Sequence, residues 1–202
     1  QASDWSSDVC SSDLWCEQFA ITWDTEINSV WQNIMTWHTM MNHADMVSDE
    51  LSFISEMIPH HQEAVDTSST LLIRTQNPQL KNMLQNIISW QDQEIKMMKG
   101  RLSDYYSGSD YKVMYMPMMR DTSTISAITT LEKMYMEDMI IHHQWAVDMA
   151  RKILDIMEKQ DPLIRLTEAG MKHRNEVKAF AQAIIDAQTK EITQFQEMLK
   201  AY

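Results

Sequence analysis

The chain has 202 residues with a formal net charge of −12, and it contains 19 Met but only 3 Gly and 4 Pro. This length suffices for one domain, or two small ones, whose core needs no disulfide or metal to fold. The negative charge argues against nucleic acid as a partner, and no apolar run is long enough to span a membrane. The abundance of Met and the scarcity of Gly and Pro predict an all-α fold.

The start of the chain is expected to be non-native. Residues Asp4 to Leu14 read DWSSDVCSSDL, which looks like the translation of a sequencing-library adapter. We therefore treat residues 1–14 as an adapter-derived or disordered tail and leave them out of the fold reasoning. On this interpretation Cys16 is the only natural cysteine, and an export signal has been lost together with the true N-terminus.

Residues 15–48 are predicted to form an additional N-terminal helix, from Asp24 to Val47. This stretch contains Met-x-x-His pairs, and positions three apart share one face of a helix. Thioether and imidazole groups on one face are candidate ligands of a soft metal ion. The four candidates here are Met35, His38, Met40 and His43.

The rest of the chain contains one unit twice, which decides its architecture. Met57 to Asp66 reads MIPHHQEAVD, and Met139 to Asp148 reads MIIHHQWAVD, identical except at the third and seventh positions. Downstream of each copy, the pattern Ile-Ile-x-x-Gln-x-x-Glu-Ile repeats with its apolar residues at helical spacing. Each unit is therefore predicted to contain two helices.

The two helices of each unit are separated by a stop and restart signal, Asn77-Pro78 and Asp161-Pro162. Asn and Asp cap helix N-termini, and Pro is favoured at the first helical position. The predicted helical hairpins span residues 49–104 and 123–202, joined by a Met-rich connector at 105–122. Together they predict a ferritin-like four-helix bundle.

Each repeated motif places one Met within a turn of two adjacent His. Soft sulfur ligands favour Cu(I), with Ag(I) as its mimic, whereas imidazole also accepts Cu(II) and zinc. A ferritin-like di-iron site would need Glu three positions before the His, where both units have Met. The alternative is that these His are polar core residues with Gln and Glu as partners. The candidates are Met57, His60, His61, Met139, His142 and His143.

Methionine outside these motifs has two interpretations. Met on an apolar helix face usually fills the core, and this is predicted for Met83, Met97, Met98, Met157 and Met198. The connector has no helical period, so its Met are about equally expected to form a mobile copper-acquiring segment or to pack. They are Met114, Met116, Met118 and Met119. His173 has no such neighbour and is predicted to lie on the surface.

Counting from the turn places Glu94 level with His61, as a ligand or as a hydrogen-bond partner of the imidazole. In the second unit, Glu191 lies further from the turn than His143 does. The two would be level only if the stretch around Gly170 looped out, and the sequence leaves this open.

The repeated motifs resemble the ferritin-like domain-of-unknown-function family 305 from Leu51 to Met198. The resemblance implies an exported bacterial protein, because characterised members include Met- and His-rich periplasmic copper-binding proteins implicated in copper resistance. Thr67 stands where the second unit has Met149, which implies a first site that is weaker or differently coordinated. The family's marked residues fall on Met57, His60, His61, Asp66 and Glu94, and on Met139, His142, His143, Asp148, Met149 and Glu191.

The expected function is extracytoplasmic copper binding for sequestration, storage or resistance, with Cu(I) preferred and Cu(II) also bound. No enzymatic activity is expected, and a protein that receives the copper is a candidate partner. One alternative is a metal-independent helical module for protein interaction. The other is a metal oxidase whose carboxylates would come from Glu56, Glu63, Glu94, Asp138 and Glu191.

Overall fold

The structure is a computed structural model that describes residues 43–160 and 167–202. Most of the predicted N-terminal helix, Asp24 to Val47, lies outside these ranges. Its last residues, His43–Met46, form a short 3-10 helix, and Val47 follows it without helical structure.

Four α-helices make up the described chain: α1 (Glu50–Leu72), α2 (Pro78–Tyr105), α3 (Ile128–Gln160) and α4 (Glu168–Leu199). The described ranges contain no strand, so the all-α prediction is confirmed. None of these helices is long and apolar enough to cross a membrane. α1 packs against α2, α3 packs against α4, and α1 also contacts α3. The ferritin-like designation stays a prediction.

The second helix of the first hairpin starts with the predicted cap, and the second helix of the other hairpin starts with a different one in the described residues. Asn77 caps α2 by accepting hydrogen bonds from the first backbone N–H groups, and Pro78 is its first residue. α4 begins at Glu168 with Thr167 as N-cap. The restart predicted at Asp161-Pro162 lies outside the residues that the structure describes.

The second hairpin is longer in both arms. α1 and α2 have 23 and 28 residues, whereas α3 and α4 have 33 and 32. Gly170 lies inside α4 and does not loop out. Because both arms are extended, residues that the sequence count placed at different levels can still meet across the hairpin.

The buried apolar side chains form two clusters, and all four helices contribute to both. Core A takes the first part of α1, the end of α2, the later part of α3 and the first part of α4. Core B takes the later part of α1, the first part of α2, the first part of α3 and the end of α4. Core A includes Phe53, Met57, Met98, Met149 and Phe180, and core B includes Leu84, Tyr135, Met136, Met139 and Phe195. The repeat-related Met57 and Met139 thus fall in opposite cores, which relates the hairpins by an approximate twofold axis.

The methionines predicted to fill the core do so with one exception. Met98 and Met157 lie in core A, and Met83 and Met198 in core B, all of them buried. Met97 is 42% exposed, so the prediction was wrong for this residue. The reason is that adjacent helical positions point about 100° apart, so Met97 and Met98 cannot share the inner face.

Candidate metal centre

A polar layer lies between the two cores at the middle of each helix. Its centre is formed by His60 and His61 on α1 and by His142 and His143 on α3. All four imidazoles are fully buried. Core A and core B exclude water from both sides of this layer, so every polar atom in it needs a partner inside the protein.

The two hairpins meet where His60 stacks on His142. Their ring centroids are 3.6 Å apart with an interplanar angle of 35°. Nε2 of His60 lies 3.0 Å from the backbone carbonyl oxygen of His142. A carbonyl oxygen only accepts, so this contact assigns the proton of His60 to Nε2 and leaves Nδ1 with a lone pair.

The outer two histidines each face a carboxylate within their own hairpin. Nε2 of His61 lies 2.9 Å from Oε2 of Glu94. This contact confirms the prediction that the two residues lie at the same level of the hairpin. Nε2 of His143 lies 2.9 Å from Oε2 of Glu191, so the longer second hairpin reproduces the pair. A carboxylate beside one ring nitrogen orients the imidazole and makes the other nitrogen a better ligand.

Several buried imidazole nitrogens remain unsatisfied. Nδ1 of all four histidines has no hydrogen-bond partner among the described residues. A buried polar atom without a partner costs about 1–3 kcal/mol, so four at repeat-related positions call for a reason. Nitrogen lone pairs are what a bound copper ion would use.

The layer fits a soft ion better than a hard one. Within the described part of the chain, no three His, Cys, Asp or Glu side chains are arranged to hold one metal ion. The donors adjoining the layer are thioethers, since Met57 and Met139 are fully buried on its two sides. Imidazole together with thioether is a donor set that selects Cu(I).

Met149 lies with Met57 in core A rather than with Met139, because the hairpins exchange their halves across the twofold axis. Each core contains four buried Met: Met57, Met98, Met149 and Met157 in core A, and Met83, Met136, Met139 and Met198 in core B. Thr67 therefore leaves neither core poorer in buried thioethers, and the weaker or differently coordinated first site stays a prediction.

The inner histidines are neutral at physiological pH. Burial lowers the pKa of His60 well below its usual value, and it lowers the pKa of His142 to about 4. Neighbouring histidines lower both values further, because positive charges in one layer repel each other. The imidazoles are thus in the form that can bind a metal ion.

In the structure the connector is longer than the predicted 105–122 and runs from residue 106 to residue 127, between α2 and α3. It covers one face of the layer and is bound to α1 by two carboxylates. Glu63 accepts hydrogen bonds from the Tyr115 hydroxyl and from the backbone N–H groups of Met118 (2.9 Å) and Met119 (3.0 Å). Its Oε2 also lies 3.4 Å from Nε2 of His142. Two turns earlier on α1, Glu56 accepts hydrogen bonds from the Tyr111 hydroxyl (2.9 Å) and from the backbone N–H of Met114 (2.7 Å).

These bonds give the connector methionines different surroundings. Met118 is buried, Met116 and Met119 are half-buried, and Met114 is 61% exposed. Packing is thus the better interpretation for Met118, while Met114 is accessible to a metal ion in solvent. The sequence did not single out Glu63 or Tyr115 as neighbours of the histidines, because no local pattern links the connector to α1.

Asp66 and Asp148 are not brought to the layer. Each accepts a hydrogen bond, 2.9 Å long, from the Gln four residues earlier on the outer helix surface. His173 is not a free surface residue as predicted: it is half-buried, with Nε2 2.7 Å from Oε2 of Glu50. His43 begins the 3-10 helix, and Met35, His38 and Met40 lie outside the described residues.

Comparisons with known proteins agree with this architecture. The model of a family described as Domain of unknown function (DUF305) matches residues 50–199. The chain is similar to the solved structure "CopM in the Cu(II)-bound form", with 27% identity and a TM-score of 0.60, covering 77% of this chain and 99% of that chain. "CopM in the Cu(I)-bound form" has 27% identity and a TM-score of 0.57, covering 74% and 94%. No curated protein sequence matches.

Proposed function

The chain belongs to the DUF305 family, and from this membership we propose that it is an extracytoplasmic protein that binds copper. Its role is sequestration, storage or resistance, without catalysis. The observation that supports this most directly is the layer of four buried histidines, whose Nδ1 atoms have no partner in the described chain. Similar CopM structures contain Cu(I), Cu(II) or Ag.

We assign Cu(I) to the thioether side of each imidazole pair and Cu(II) to the imidazoles and their carboxylates. Sulfur ligands favour Cu(I), whereas nitrogen and oxygen ligands suit Cu(II). The fully buried Met57 and Met139 supply the sulfur, and Glu94 and Glu191 supply oxygen beside His61 and His143. Both oxidation states thus find donors in one layer.

The alternatives have less support. An oxidase needs carboxylates that bridge two metal ions, but Glu56 is bound to the connector, Asp138 pairs with Arg120 at 2.7 Å, and Glu94 and Glu191 face different histidines. A module that binds proteins through Met-rich faces needs exposed thioethers. Among the described residues, eight Met are buried in the two cores and only Met97, Met114 and Met171 are exposed.

The proposed function predicts the loss of tight Cu(I) sites when the ligands are removed at constant volume. The variant combines Met57→Leu, His61→Gln, Met139→Leu and His143→Gln, chosen because volume-conserving swaps are tolerated best in cores. Changing residues that only orient metal ligands costs about 10- to 100-fold in affinity, so we expect at least about 100-fold weaker binding here. The measurement is a Cu(I) titration against a calibrated competitor, with circular dichroism to verify the fold.

A matched control changes Asp66→Asn and Asp148→Asn, which have the same repeat relation but lie on the outer surface. This variant should keep wild-type affinity and stoichiometry. Equal Cu(I) binding by the wild type and the ligand variant would show that the histidine layer is structural, and the interaction module would become the better reading.

A further inference from the structure

A groove of about 390 Å³ runs between α2 and α4 on the face of the layer away from the connector. Gln91 and Glu94 line it from α2, and Gln188 and Glu191 line it from α4. These residues belong to the Ile-Ile-x-x-Gln-x-x-Glu-Ile pattern of both units, so the groove has the approximate twofold symmetry of the hairpins. Lys190 is the one cationic side chain among its lining residues.

The two glutamines of the groove are buried without partners. Gln91 is 3% exposed and Gln188 is 2% exposed. Neither the amide nitrogen nor the amide oxygen of either side chain has a hydrogen-bond partner within residues 43–160 and 167–202. Leu at these sites would avoid the cost of burying an amide. Two repeat-related glutamines that lower stability in this way indicate a ligand that is polar and enters the groove.

The groove leads to the histidine layer through its two carboxylates. The Glu94 and Glu191 side chains are 20% and 18% exposed, whereas His61 and His143 behind them are fully buried. Each carboxylate therefore touches solvent on one side and an imidazole on the other. On the opposite face, the ring of Tyr115 covers His60 at 6.0 Å between centroids.

We propose that this groove is the entry site for Cu(II), with the partly exposed carboxylates of Glu94 and Glu191 as its first protein ligands and the buried amide oxygens of Gln91 and Gln188 as the next. A hydrated divalent ion exchanges water first for carboxylate oxygen and then for amide oxygen, and it then moves to an imidazole nitrogen. The net charge of −12 favours the approach of a cation. This inference rests on the proposed function and adds the route and two residues to it.

The test measures how fast Cu(II) loads into the full chain with Gln91→Leu and Gln188→Leu, by stopped-flow tryptophan fluorescence. Loss of an oxygen ligand in each unit should slow Cu(II) loading about tenfold. The reason is that one polar interaction of about 1.4 kcal/mol corresponds to a tenfold change in rate. The final Cu(II) stoichiometry should equal that of the wild type. The urea midpoint of the metal-free variant should rise, since two unpartnered amides leave the interior.

Gln62→Leu with Gln144→Leu is the matched control, because these glutamines are also repeat-related but lie on the outer surface. It should load at the wild-type rate. The single variants Gln91→Leu and Gln188→Leu are measured in parallel, so that a defect in folding of the double variant does not hide the effect.

Wild-type loading rates in the folded Leu variants would overturn the entry site while leaving copper binding intact. A loss of final stoichiometry would also overturn it, because the amides would then be permanent ligands. A lowered urea midpoint would show that the amides have partners in solution and would remove the basis of the inference. If the wild type itself bound no copper, the proposed function would fail, and the entry site with it.

Discussion

Acidification from about pH 7.5 to about pH 4.5 should destabilise the metal-free protein by about 2 to 3 kcal/mol through His142 alone. Burial lowers the pKa of this histidine from 6.5 to about 4 in the folded protein. Burial also lowers the pKa of His60, which adds in the same direction.

The direction follows from proton uptake by the two states. Between about pH 6.5 and pH 4, the unfolded chain holds a proton on His142 while the folded protein does not, so acid favours unfolding. The stability is therefore complete above about pH 6.5, and it is lost as the pH falls towards the folded pKa. Urea unfolding at several pH values measures this slope.

The variant His60→Leu with His142→Leu separates the histidines from the carboxylates that titrate in the same range. It should lose less stability than the wild type between the two pH values. Bound copper should also flatten the wild-type profile, because a ligand that binds only the folded state stabilises it by mass action. An equal pH slope for wild type and variant would mean that the inner histidines are not buried in the neutral form.

Replacement of Glu63 by Ala should lower the free energy of unfolding by about 3 kcal/mol, because hydrogen bonds to a charged acceptor are worth about 1.5–3 kcal/mol and several are lost together. The lost donors are Tyr115, Met118 and Met119 of the connector. Burial alone would raise the pKa of Glu63, but the neighbouring imidazole of His142 and the hydrogen bond from Tyr115 lower it. The carboxylate is thus charged at neutral pH.

The measurement is urea unfolding at neutral pH, with proteolysis of the connector as a local readout. Asp66→Ala is the control on the same helix, because its carboxylate accepts from Gln62 on the surface; it should cost no more than about 0.5 kcal/mol. The Glu63→Gln variant keeps a neutral hydrogen-bond acceptor, so its free energy of unfolding should lie between those of Glu63→Ala and Asp66→Ala. Equal stability of Glu63→Ala and wild type would show that the connector does not depend on this carboxylate.

The sequence by itself determined the helical class, the repeat and the residues of the layer. Two copies of a motif with helical spacing indicate the same local structure twice, since periodicity reports which side chains share a face. Counting from the Asn77-Pro78 turn also predicted the pair of His61 and Glu94, because the two arms of a short hairpin run side by side. These inferences need only local geometry and a tight turn.

The resemblance assigned more residues to the site than the structure brings together. Asp66 and Asp148 recur in both motifs, yet they lie on the outer surface, each beside the Gln four residues earlier. Their recurrence is explained by a local helical pair, which stabilises a helix wherever it faces solvent. The repetition of a residue in both units therefore does not show that it belongs to the site.

Only the tertiary structure decided which remote faces meet. It brought His60 onto His142, exchanged Met57 and Met139 between the two cores, and placed the connector over Glu63. It also showed that Gln91 and Gln188 are buried and have no hydrogen-bond partner among the described residues. The physical reason is that burial and desolvation depend on how helices distant in sequence pack, and no period along one helix reports this.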